Sequence, residues 1–242
     1  MTIVEMHELF RVLGQQMGMQ KVRAILPESI DILINTSIIH CVRQIITSNV
    51  TTNFGNIVAT QKNKVSVINA LRTLYTEKEI DIDGFNPSIF YNFDIFSIID
   101  CSVSYSTESP YEYISTRLIE PNLIDEVKRD YLLRPTSKFP VATIVGVTEN
   151  YEQETENEDS EESSSEFGTL VDYNLYTGNS MPTKIKTSFI KYPAKVNINE
   201  NKSCDLPIHL HHMIVEEAVK LYLQSVHITS GGSDNSQQTN KN

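Results

Sequence analysis

The chain holds 242 residues, 40% of them hydrophobic, with no tryptophan, three cysteines and a formal net charge of −11. That length accommodates one generous domain or one domain carrying a sizeable insertion, with a core resting on Ile, Leu, Val, Phe and Tyr. Cys41, Cys101 and Cys204 stand far apart in no CxxC pair, so neither a disulfide framework nor a zinc knuckle is suggested, and a reduced compartment is the simplest expectation.

At the start of the chain, Thr2 and Glu5 have the spacing of a capping box, and Met6, Leu9, Phe10, Leu13 and Met17 recur at helical intervals. A first helix ending at Gly14 or Gly18 is expected. Glu5, Glu8 and Arg11 interrupt any apolar stretch, so this is not read as a secretory signal, and no run approaches the ~18 apolar residues of a membrane span. The expectation is a soluble product made in a cytoplasm. A second helix opens on Pro27 and carries the stripe Ile30, Ile34, Ile38, Cys41 and Ile45. A third is expected over 64–75, with Val67, Ala70, Leu71 and Leu74 on one side.

The period then changes to two. Ile89, Tyr91, Phe93, Ile95, Ile99, Cys101, Val103 and Tyr105 alternate with mostly polar residues, predicting one long half-buried strand, bent in its middle. A short helix over 122–133, capped by Asn122, is expected between Pro121 and Pro135. Strand-like runs at 140–148 and 169–177 flank ENYEQETENEDSEESSSE, residues 149–166, and predict a hairpin with a lengthened tip. That segment holds nine carboxylates and no Lys or Arg, which leaves −2 for the rest of the chain, so no general basic stripe for phosphate binding exists. A further strand-like run, KIKTSFIKY, ends at Pro193. Asp205 then offers a cap and Pro207 a first turn for a last helix with Leu210, Ile214, Ala218 and Leu221 in a stripe. From Thr229 the sequence is a polar tail too poor in apolar surface to fold alone.

Helices, then strands, then a helix predict an α+β fold. Its helical core comes from the N-terminal helices and the C-terminal helix, with a β-rich insertion between them. The expected parts are an N-terminal helical part at 1–84, the insertion with its acidic loop at 85–192, the closing helix at 193–228 and the tail at 229–242.

His209, His211 and His212 are the metal candidates. On a helix they diverge by roughly 200 and 100 degrees, whereas zinc ligands sit at i and i+4. A first turn with solvent-facing imidazoles is the expectation, with His212 and Glu216 a surface pair. No HExxH, GxSxG or phosphate-binding glycine loop occurs, so no cofactor, no metal and no enzymatic activity are expected. Of the acidic run, Glu152, Glu154, Glu156, Glu158, Asp159, Glu161 and Glu162 either form a solvated loop or present negative charge to a basic partner or along a DNA channel; calcium binding ranks last, since the EF-hand spacing is missing. Lys184, Lys186, Lys191 and Lys195 read as the wet face of a strand or a guard against edge pairing, with Phe189 and Tyr192 as packing residues.

Three pieces, in order, resemble the head-to-tail connector (adaptor or ring) proteins of short-tailed, crAss-like bacteriophages. The opening "P-E-x-I-D-x-x-L-N" is matched by Pro27, Glu28, Ile30, Asp31 and Asn35. SFIKYPAKVNI is similar to a "Y-x-K-x-P" strand, with Phe189 in the tyrosine's place. The third, "C-x-L-P-x-x-x-H-x-x-I-V-x-x-A-V", is matched by Cys204, Leu206, Pro207, His211, Ile214, Val215, Ala218 and Val219. Together they span about a quarter of the chain; the central strands and the acidic segment lie outside the resemblance.

The resemblance implies a virion structural protein at the head–tail junction, assembled in the host bacterial cytoplasm. It implies a dodecameric ring below the portal, in contact with other ring or tail proteins, through which double-stranded DNA passes without sequence-specific binding and with no membrane involved. In that setting residues 89–105 and the chain ends are expected to make contacts between subunits. Two other readings stay open: a metal-dependent hydrolase using the histidine run, and a non-viral interaction module whose acidic loop binds a basic partner.

Overall fold

In the computed structural model, residues 1–18, 24–50, 57–107, 109–155 and 164–231 are described. The architecture is mixed α and β, with two compact units: Met1–Leu74 together with Pro193–Asn242, and Tyr75–Tyr192. The first break therefore falls at 74/75 and not at 84/85.

In the first unit, α1 (Ile3–Gln16) begins with the expected capping box: Thr2 Oγ1 accepts from the Glu5 N–H, and the Glu5 carboxylate accepts from the Thr2 N–H. Gly18, at φ 88°, takes the left-handed position that ends it. The second helix, α2 (Pro27–Val50), buries Ile30, Ile34, Ile38 and Cys41 as its stripe predicts. Over Pro27–Thr47 it is nonetheless long and apolar enough, by length and composition, to cross a membrane, which the sequence reading did not recognise. Its fully buried Ile30, Ile34 and Val42 are instead part of a helix packing in which α2 lies against α3 (Ile57–Ala70) and α5 (Ile208–Gly231). The Phe10 and Tyr222 rings meet edge to face at 6.5 Å, joining α1 to α5.

The third helix starts and stops earlier than expected. A turn over Leu71–Leu74 leads into β1 (Tyr75–Asp81), which alternates charge and not apolar bulk and so escaped the hydrophobic pattern. The last helix begins after Pro207, whose carbonyl accepts from the Leu210 N–H, and continues through Gly231, past the tail's expected start at Thr229.

The second unit is a seven-stranded mixed sheet in the order β1, β7 (Lys184–Lys191), β3 (Ile95–Ser104), β4 (Tyr113–Leu118), β5 (Val141–Thr155), β6 (Ser164–Tyr176) and β2 (Ser88–Tyr91). Among the described residues, only the β4–β5 pair is parallel. The single long strand expected over 89–105 is two strands, broken at Asn92–Asp94 and placed in different parts of the sheet. Its period-two alternation holds for Ile89 and Tyr91 on β2 and for Ile95, Cys101 and Val103 on β3, which share one core. Register shifts between Ile95 and Asp100 interrupt it, so that Ile98 packs against this core and Ile99 is not part of it.

That core exists because the sheet curls. Tyr91, in the last strand of the order, packs edge to face on Phe189 of the second at 5.5 Å, and Lys78 of β1 donates to the Phe90 carbonyl oxygen at 3.5 Å. The inward face of residues 89–105 is thus covered within the chain. Between β4 and β5, a 3₁₀ turn over Pro121–Leu123 and α4 (Ile124–Arg129) replace the helix expected over 122–133. Asn122 does not cap it; Leu123 occupies the N-cap without a side-chain bond.

Candidate assembly surface

The histidine run begins α5, as expected, but only two of its imidazoles face solvent. His211 is buried, and its Nε2 lies 2.8 Å from the Leu206 carbonyl oxygen. His209 is exposed, and His212 Nδ1 sits 3.2 Å from Glu216 Oε1, the expected surface pair one helical turn apart. Among the described residues, no group of three or more His, Cys, Asp or Glu side chains could hold a metal ion.

The motif residues of α2 meet the segment that follows the sheet. Asp31 Oδ1 lies 2.8 Å from His7 Nε2 on α1, and its Oδ2 accepts from the Ile198 N–H at 3.0 Å. One turn on, Asn35 Oδ1 accepts from the Val196 N–H at 2.8 Å, and its Nδ2 donates to the Val196 carbonyl at 3.0 Å. His7 and Asp31 are both buried, so this polar cluster is an internal clasp. Reading α2 for its apolar stripe alone missed it; the i, i+4 spacing of Asp31 and Asn35 was the available signal. Nearby, burial pushes the Cys41 thiol up to about 11, with Cys204 and Glu217 adding to the effect.

The acidic run is not a simple loop. Its first residues extend β5 and its last belong to β6, with Glu152 opposite Phe167, Gln153 opposite Glu166 and Glu154 opposite Ser165. Glu152 is exposed. Glu156, Glu158, Asp159, Glu161 and Glu162 lie outside the described residues.

The β5–β6 ribbon outruns its neighbours. β4 pairs with β5 only at Arg117–Val141 and Leu118–Ala142, and β2 pairs with β6 only over Thr169–Asp172. From Thr143 onward the outer edge of β5 has no strand beside it among the described residues. The ribbon's exposed side chains are partly apolar: on β5 Val145 is 58% exposed and Val147 50%, and on β6 Phe167 is 63% exposed. Tyr151 packs on Phe90, ring centroids 6.0 Å apart, and ties the ribbon to β2.

At the other end of the ribbon, the loop over 130–139 is ordered by hydrogen bonds. Leu132 N–H donates to Asp130 Oδ1 at 2.8 Å, Arg117 Nη2 donates to the Leu133 carbonyl at 2.6 Å, and Thr136 and Phe139 exchange backbone bonds. Those bonds hold large apolar side chains in water: Tyr131 is 90% exposed, Leu132 88% and Phe139 67%. Beside them lies an open pocket of about 500 Å³, lined by Phe85, Lys128, Arg134, Leu175, Tyr176 and Gly178 among others. Lys128 Nζ stands 4.4 Å from the Tyr176 ring centroid.

The lysines of β7 do not guard an edge, because β7 is paired on both sides. Lys184 meets Asp81 at 2.8 Å and Glu79 at 3.4 Å, and Lys186 meets Glu77 at 2.5 Å, so they answer the carboxylates of β1. The Lys186 ammonium, with the Tyr75 hydroxyl, holds the Glu77 carboxyl below the usual range. Lys191 lies over Phe93 at 4.5 Å; Phe189 is buried, and Tyr192 packs edge to face on Phe96.

No protein-family model matches the chain, and a search of curated proteins returns no match.

Proposed function

We propose that this chain is a structural ring subunit of a phage virion, a connector between portal and tail that assembles with copies of itself around the genome passage. The proposal includes a helical core closed by both ends of the chain, with the sheet as its insertion. The observation that carries it is the β5–β6 ribbon, in which the outer edge of β5 runs without a strand beside it from Thr143 among the described residues and bears exposed Val145 and Val147, with exposed Phe167 on the paired β6. An unpaired, partly apolar edge is a template for another chain, and proteins normally blunt such edges unless they use them.

The resemblance in the helical unit supports the same reading. Its quoted residues form that unit's internal framework: Asp31 and Asn35 hold the 196–198 segment, His211 holds Leu206, and Ile214, Val215, Ala218 and Val219 are buried. The nine carboxylates of residues 149–166 suit a conduit as well, because a negative lining lacks the counterion release that makes DNA adhere.

The test is particle imaging by negative stain, with light scattering, of the purified chain alone and with portal. Closed rings in either sample are the expected result. A chain that stays monomeric in both sinks the reading.

A further inference from the structure

We propose that neighbouring copies join head to tail, the acidic flank of one β5–β6 ribbon docking into the Lys128–Arg134 pocket of the next copy; this rests on the ring reading above. The two surfaces are complementary in kind. The pocket end carries Lys128 and Arg134 beside exposed Tyr131 and Leu132, and among the described residues neither cation is in an ion pair with a carboxylate. The ribbon flank carries exposed Glu149 and Glu152 beside Val145 and Val147. Each surface thus offers apolar area for burial with a charge of one sign beside it.

The two surfaces cannot meet within one molecule. The pocket wall includes Thr177 and Gly178, just past Tyr176, which pairs with Val141 at the base of the ribbon. Glu149 and Glu152 lie further along β5, and at about 3.3 Å per residue that separates them from the base by roughly 25 to 35 Å. A paired two-stranded ribbon does not fold back on itself, so only a second copy can bring these carboxylates to the pocket. Because the joined surfaces are different patches, the contact is heterologous and repeats from copy to copy, which is the geometry a ring requires.

Sedimentation velocity on the full chain over a concentration series tests this, with circular dichroism confirming the fold of each variant. Wild type is expected to self-associate, less so as NaCl rises from about 0.1 to 1 M, where screening shortens the Debye length to ~3 Å. Lys128→Glu with Arg134→Glu is expected to weaken association by about tenfold or more, as is Glu149→Lys with Glu152→Lys. Carrying both reversals in one chain restores it, and mixing the two single-surface variants restores growth too, as an alternating assembly in which each surface of one variant meets its opposite charge on the other. Lys128→Gln with Arg134→Gln supplies a milder pair should a reversal disturb folding.

Association or rings unchanged by either reversal overturn this contact and leave the connector reading standing. A wild-type chain that is monomeric alone and with portal overturns both.

Discussion

The side-chain amide of Asn35 is paired with the backbone of Val196 through both its atoms, accepting from the N–H at 2.8 Å and donating to the carbonyl at 3.0 Å. A side chain on α2 thereby does for an irregular segment what a neighbouring strand would do. Val196 itself is buried, so its backbone groups depend on this amide. Asn35→Asp keeps an acceptor for the N–H but turns a second oxygen toward the Val196 carbonyl. Each orphaned buried group costs about 1–3 kcal/mol. Both Asn35→Asp and Asn35→Leu are therefore expected to lower stability in urea unfolding at an unchanged m-value, and wild-type stability in either would remove the clasp from the account.

His7 and Asp31 form the other half of that clasp, and their contributions are coupled. Asp31→Ala strands the Ile198 N–H as well as His7, whereas His7→Ala leaves the bond to Ile198 in place. The double-mutant cycle is expected to show a coupling of about 0.5–3 kcal/mol, with Asp31→Ala the costlier single change. Additive effects would count against a direct pair.

Alkaline pH should act through Cys41. Its folded pKa lies at about 11, above the ordinary thiol value, so the native state holds its proton more tightly than the unfolded chain. The stability this supplies is fully present below the unfolded pKa, near 9, and is lost as pH rises toward 11. Cys41→Ala is expected to flatten that part of the pH profile, measured by thermal melts from pH 8 to 11. A mutant profile that falls as steeply as wild type assigns the loss to other groups.

Gly168 shows how closely β2 is pressed on β6. A Cβ at this position would run into the carbonyl oxygen of Tyr91 and approach Asn92 Cα at 3.0 Å, both backbone atoms at the break between β2 and β3. Neither neighbour is a side-chain tip that can swing aside, so Gly168→Ala is expected to destabilise by about 1–3 kcal/mol. Gly84→Ala serves as a contrast: nothing lies within 4 Å, and only its φ of 98° opposes the change. A Gly168→Ala protein as stable as wild type would mean that the strands separate there at no cost.

Among the histidines of α5, position in the turn decides the outcome. His211→Ala leaves the Leu206 carbonyl without its imidazole and is expected to cost about 1–3 kcal/mol. His209→Ala and His212→Ala, both at exposed positions, should stay within about 0.5 kcal/mol of wild type. Zinc titration separates this from the hydrolase alternative: a thermal shift abolished by both His209→Ala and His212→Ala would restore a metal site.

Much of the helical unit was legible from spacing, because helix signals are local. Thr2 and Glu5 capped α1 as their separation foretold, and Ile30, Ile34 and Ile38 on α2 went inside because residues one turn apart share a face. The alternation through 89–105 likewise named Ile89, Tyr91, Ile95, Cys101 and Val103 as inward, since pleating depends only on neighbours along the chain, but it misplaced Ile99, where irregular register puts Ile98 on the core instead. What local order could not supply was which strand lies beside which. The break at Asn92–Asp94, the unexpected β4 and the pairing of charged β1 with the lysines of β7 depend on partners more than 70 residues away in the case of β1 and β7.

The candidate surface divides along the same line. Composition alone located the excess negative charge at 149–166, because charge adds without regard to folding. That these carboxylates begin on a paired strand, far along a ribbon from Lys128 and Arg134, is a matter of register and sheet order. Exposure of Tyr131 and Leu132 was equally invisible, since an apolar residue reads as core until the chain around it is seen to turn it outward. Helix and strand character are written in steps of a few residues; the neighbours of an edge, and what water touches, follow from contacts between segments remote in the chain.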